Sequence, residues 1–116
     1  MEFDVEIVLR EQNTATTVRL EHGVDPATWG ELDVEVVMKQ ILLAIDRLKN
    51  PGAASRYVAL RGFSWIVEPV GDRVVIAIEI PMGAAVAGPF AIDAQRLDGL
   101  IRRVIAAAAL PGPTVH

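Results

Sequence analysis

The sequence predicts an α+β fold: an antiparallel β-sheet packed with two helices in the order β-β-α-β-β-(β)-α, as a two- or three-layer sandwich. Three observations carry this. Apolar and polar residues alternate along residues 2–10, 14–21 and 63–80, the period of half-buried strands. Apolar residues recur at helical spacing through residues 32–48 and 97–108. Short turn segments, Gln12-Asn13 and Gly71-Asp72, join neighbouring strand patterns closely enough for antiparallel hairpins.

In the first strand Phe3, Val5, Ile7 and Leu9 point one way, and Glu2, Asp4, Glu6 and Arg10 the other, with Val8 the apolar exception. In the second, Thr16, Val18 and Leu20 point inward. A two-residue turn at Gln12-Asn13 sets Ile7 against Val18, Val5 against Leu20 and Leu9 against Thr16, so the apolar sets coincide.

A helix follows. Asp25-Pro26 and Thr28-Trp29-Gly30-Glu31 are competing start signals, the second with capping-box spacing. Leu32, Val34, Val37, Met38, Ile41, Leu42, Ile45 and Leu48 form its main stripe, and Asn50-Pro51-Gly52 ends it. Val36 and Leu43 form a second stripe, which predicts cover on more than one side.

Tyr57 to Leu60 is apolar and extended, and Gly62 breaks the phase as a bulge does. Phe63, Trp65 and Val67 are then answered by Ile76, Ile78 and Ile80 across the Gly71-Asp72 turn. The opposite face of this hairpin is mixed, with Ser64, Ile66, Glu68, Arg73, Val75, Ala77 and Glu79. Residues 80–92 carry no charge but hold two prolines and two glycines, and read as a long apolar loop. Asp93 caps a last helix with Leu97, Leu100, Ile101, Val104, Ile105 and Ala108 on one face, and Pro111-Gly112-Pro113 stops it. Longin, roadblock-type and other profilin-like domains run in a similar element order. That likeness is one of topology, carried by no residue motif, and leaves function open.

At 116 residues the chain has the size of one domain, here spanning 1–116. It has no cysteine, which excludes a disulfide framework, a thiolate zinc site and a thiol nucleophile. Met1-Glu2-Phe3-Asp4 lacks the positive flank and apolar run of a signal peptide, so the expected compartment is the cytoplasm. No apolar run reaches the length of a membrane span. Net charge is −4, distributed as −7 over residues 1–35 and +3 over the rest. An acid excess argues against nucleic acid as a partner. The asymmetry leaves two arrangements open: the acidic first part facing the basic last helix, or two solvated faces that never meet.

Catalytic inventory is thin, and no catalytic residue, metal ligand or cofactor is expected. His22 and His116 are the only histidines, and no nucleophile-elbow, HExxH, Walker A or EF-hand spacing occurs. Glu2, Asp4 and Glu6 stand about 7 Å apart along a strand, too far to converge on one small cation unaided, and read as a solvated face. Glu31, Asp33 and Glu35 complement a helix N-terminus.

Apolar residues make up 52% of the chain and aromatics only 5%, a surplus that a small interior does not readily hide. The favoured expectation is therefore a non-catalytic, self-associating domain, a homo-oligomer and most simply a dimer. Its contacts are expected among Trp29, Val36, Leu43, Met82, Val86 and Phe90, or on the mixed sheet face. The alternative is a small-molecule-binding protein or minor enzyme. There the 80–92 loop is a lid, and Trp29, Gly83, Gly88 and Arg96 line the pocket. A membrane-surface role is disfavoured, since such helices are usually Lys/Arg-rich and the chain has only Lys39 and Lys49.

Overall fold

The computed structural model describes residues 1–12, 14–52 and 60–109. Its elements are β1 (Glu2–Leu9), β2 (Thr16–Glu21), a short 3-10 turn (Pro26–Thr28), α1 (Glu31–Lys49), β3 (Ser64–Val70), β4 (Arg73–Ile80), β5 (Gly83–Phe90) and α2 (Ala94–Ala109). The strands form one antiparallel sheet ordered β2-β1-β5-β4-β3. The α+β class and the element order are as the sequence predicts, and the arrangement has two layers. α1 packs over β1 and β5, and α2 lies beside α1 and over β3. No described helix is long and apolar enough to cross a membrane.

The core lies between helices and sheet. β1 contributes Phe3, Val5, Ile7 and Leu9, β4 contributes Val74, Ile76 and Ile78, and β5 contributes Ala85, Ala87 and Phe90. α1 answers with Val34, Val37, Met38, Ile41, Leu42 and Ile45, and α2 with Leu97, Leu100, Ile101 and Val104. Leu32 departs from its stripe and is largely exposed, because it lies one residue into α1, at the end of the helix. Trp65 and Phe63 are half-buried rather than core, and the Arg102 guanidinium covers the Trp65 ring at 5.5 Å.

Both start signals before α1 are used, in succession. Asp25 caps the 3-10 turn by accepting from the Ala27 amide at 3.1 Å. The α-helix begins later, at Gly30, whose amide donates to the Asp33 carboxylate at 2.9 Å. Asp33, read as a dipole complement, is thus also the helix's capping carboxylate. Asp93 caps α2 as expected, accepting from the Arg96 amide at 3.0 Å.

Two expectations need correction. First, the β1–β2 hairpin is not closed by a two-residue turn. Observed partners are Phe3 with Leu20, Val5 with Val18 and Ile7 with Thr16, a shift of two residues. The chain turns beyond β1 through a Gln12 amide bond to the Leu9 carbonyl at 3.0 Å, which widens the connection. A slip of two keeps every side chain on its face, so hydrophobic patterning does not distinguish the two registers.

Second, residues 83–90 are not a loop. They form β5, the middle strand of the sheet, paired with β1 on one side and β4 on the other. Its small residues fit that place. A Cβ on Gly83 would stand 2.4 Å from the Val8 carbonyl oxygen, and Ala85 and Ala87 are buried beneath the helices. Gly88 has φ +125°, which only glycine adopts readily, where the β4–β5 register shifts. The sequence offers its bracketed strand within residues 56–80, as three strands or two with a kink; the fifth strand of the sheet is instead β5. Residues 57–59, Asn13, the 111–113 stop and His116 lie outside the described residues.

Candidate interaction surface

The proposed pocket around Trp29 and Arg96 is a structural clasp. Trp29 is fully buried, with its ring centroid 5.0 Å from that of Phe90 and 6.0 Å from His22. Its indole N–H donates to the Val24 carbonyl at 3.0 Å. Arg96 reaches back from α2 and donates through Nη2 to the Trp29 carbonyl at 2.7 Å. Phe90 is also fully buried and meets Phe3 edge-on at 5.2 Å. Trp29 and Phe90 therefore offer no surface to a partner. Gly83 and Gly88 serve backbone close approach within the sheet rather than a ligand cradle, and β5 cannot act as a lid. The physical reason is the same for all: their neighbours in space come from elements remote in sequence.

His22, at the end of β2, is largely buried, its Nε2 2.9 Å from Asp33 Oδ1. No local pattern links residues eleven apart across a turn, so sequence spacing carries no signal of this pair. The Gly30 amide and the His22 ring hold the Asp33 carboxyl below its ordinary pKa. Its stabilisation is present above the unfolded-state value and is lost as pH falls through the depressed folded-state value. Acid unfolding below about pH 4 should therefore carry an Asp33 contribution. Asp33→Asn is expected to flatten that limb of a urea-midpoint profile; an unchanged acid limb would refute it.

The opposite face of the sheet is covered by neither α1 nor α2, and it differs from one side to the other. On β1 and β2 it is charged: Glu2, Asp4, Glu6, Arg10, Arg19 and Glu21. Arg19 bonds Asp4 at 3.0 Å and Glu2 at 3.3 Å, which raises its own pKa. On β5, β4 and β3 the face is mixed, with Ser64, Glu68, Arg73 and Glu79 set among apolar residues. Val86 at 45%, Val70 at 53% and Ile66 at 56% exposure stand out from it, around half-buried Val75, Ala77 and Ala84, and Val8 of β1 adjoins them at 41%. An antiparallel sheet with one wet face normally alternates apolar-in and polar-out, and β1 and β2 largely obey that rule while β3 to β5 do not.

At the end of this face where the β4–β5 turn lies, an open groove of about 720 Å³ is floored by Val8 and Ala84 and walled by Phe63, Ile80 and Pro81. Arg10, Ser64 and Glu79 also line it. Among the described residues no group of three or more His, Asp or Glu is placed to hold a metal ion.

Of the expected contact residues, Val86 and Val36 are exposed, and Met82 and Leu43 are half-buried. Val86 lies on the open sheet face, while Val36 and Leu43 lie on the outer side of α1. Ile66 belonged to the mixed face by alternation alone; only the placement of β5 brings it into one patch with Val8 and Val86.

Comparison with protein-family models, curated proteins and solved structures finds no match to this chain. The acidic first part and the basic last helix mostly point apart. The β1 acids lie on the sheet face away from α2, and Glu31 meets Arg103 at 3.2 Å.

Proposed function

We propose that this chain is a non-catalytic interaction domain that self-associates through the open face of its sheet. The observation carrying this reading is the exposed apolar patch of Val8, Ile66, Val70 and Val86 on a face that neither α1 nor α2 covers. Contiguous exposed apolar area on a small domain marks a contact surface, and closed two-fold pairing is the commonest way to cover it. The surrounding charges suit a rim, since interfaces place apolar groups centrally and polar groups around them. A chain free of cysteine suits a reducing compartment, which favours the cytoplasm.

Sedimentation of the chain between about 1 and 500 μM tests the proposal, because modest interfaces associate in that range. A concentration-dependent dimer is expected. Val86→Asp should raise the dissociation constant at least about tenfold, as an unpaired charge in a dry contact costs more than about 1.4 kcal/mol. A wild-type monomer throughout the range would reject self-association.

A second reading, a small-molecule site, attaches to the 720 Å³ groove. Ligand pockets usually bury most of their ligand, and among the described residues this groove is wide open. The first reading uses the same groove, as a depression that a protein surface fills.

A further inference from the structure

The geometry points to a specific mode of pairing: two copies stack sheet face on sheet face, with β5 lying along the two-fold axis. This inference rests on the self-association reading above and names its partner surface. β5 is the middle of five strands. An axis along β5, between the stacked sheets, sets β1 over the partner's β4 and β2 over the partner's β3. Aligned sheets stack in this way about 10 Å apart.

Register then decides what meets what. One cross-strand row runs Thr17, Glu6, Val86, Ala77, Ile66. In the paired state Val86 meets the partner's Val86, and Glu6 lies over the partner's Ala77. Two residues along, Arg19 pairs with Asp4 and Asp4 with Gly88, while on the other side Glu68 pairs with Val75, which stands beside Gly88 where the β4–β5 register shifts. Arg19 therefore faces the partner's Glu68. One step further along, beyond the β4–β5 register shift, Val74 takes the row of Phe90, so Glu2 on β1 stands one residue from the partner's Arg73 on β4. At the other end the row Val8, Ala84, Glu79 sets Val8 over the partner's Glu79, and Arg10, two residues further along the chain, spans that step with its long side chain to meet the carboxylate. Opposite charges therefore lie within two residues of one another at three places, each repeated by symmetry, and no two like charges are directly opposed in these rows. Among the described residues neither Arg10 nor Glu79 has an ion-pair partner within its own chain.

Other two-fold arrangements lack this match. Turning the partner end for end about the Val86 row sets Glu6 on the partner's Glu6. Moving the axis to β4 leaves β1 and β2 outside the contact and sets Glu79 on the partner's Glu79. Area favours β5 as well. Five strands about 4.8 Å apart offer roughly 600 Å² per copy, which brings the pair to the lower limit of specific interfaces. Strands β3, β4 and β5 alone fall well short of it. Pairing along β5 also closes the open groove between Arg10 and Glu79.

Arg10→Glu and Glu79→Arg provide the test. Alone, each variant brings like charges together at both symmetry-related contacts, and each should weaken the dimer about tenfold at low salt. Mixed in equal amounts, the two variants form a heterodimer in which both contacts again join opposite charges. That mixture should recover wild-type affinity to within about threefold, read by sedimentation and native mass spectrometry. Repair within one chain cannot give this result, because neither variant carries the compensating change. If the wild type dimerises but the single variants are unaffected, or the mixture is no tighter than its components, pairing along β5 is overturned while self-association stands. If the wild type is monomeric, both are overturned.

Discussion

Replacing Trp29 with alanine is expected to cost about 3–5 kcal/mol of folding stability, the range for truncating a fully buried large aromatic. The indole has no exposed surface and packs against Phe90 and His22 while its N–H satisfies the Val24 carbonyl. Its own carbonyl takes the Arg96 hydrogen bond. Removing the ring empties the place where the connection from β2, the start of α1, β5 and α2 meet. Small domains hold only about 5–15 kcal/mol in total, so the melting temperature should drop by about 10–20 °C. Trp29→Phe keeps most of the packing and should lose a minor part of that. Thermal or urea unfolding of the two variants provides the check; a Trp29→Ala loss under about 1 kcal/mol would contradict a core role.

Gly83→Ala should be nearly as damaging, although it adds a single methyl group. The new Cβ would stand 2.4 Å from the Val8 carbonyl oxygen and 3.1 Å from the Leu9 Cα. Both obstacles are backbone atoms of β1, so relief requires the two central strands to separate where they pair. Overpacking of this kind costs about 1–3 kcal/mol and sometimes more, and here the upper part of the range is expected. Gly23→Ala is the matched control, since nothing lies within 4 Å of its added Cβ. That change should stay within about 0.5 kcal/mol. Equal unfolding midpoints for the two alanine variants would contradict the close β1–β5 approach.

The elements that were legible in the sequence are those whose signal is local. β1 alternates because one face is buried by helices and the other is wet. The β3–β4 hairpin has its predicted partners, Trp65 with Ile78 and Val67 with Ile76, because a tight Gly71-Asp72 turn leaves no freedom of register. β5 was not legible. Its Gly-Ala-Ala-Val-Ala-Gly-Pro-Phe run has poor strand propensity, and what holds it in place is pairing on both sides. The one usable hint was its lack of charge, which suits a strand in the middle of a sheet as well as it suits an apolar loop. Misplacing β5 moved the candidate site. It made Gly83, Gly88, Trp29 and Arg96 look like a lidded pocket, and it hid the adjacency of Val86, Ala77 and Ile66. Val86 entered the contact set as a loop residue, and the structure places it, exposed, on the middle strand of the sheet.

Composition and periodicity by themselves determined the class of fold, both helices, the inward faces of four strands and a surplus of apolar residues. Those follow from spacing along the chain, where each residue's role depends on neighbours a few positions away. Tertiary structure alone decided which strand occupies the centre, which apolar residues remain uncovered and which charges share a row. Those depend on β1 and β5, nearly eighty residues apart, lying side by side, and no local period encodes which distant segment a strand will pair with.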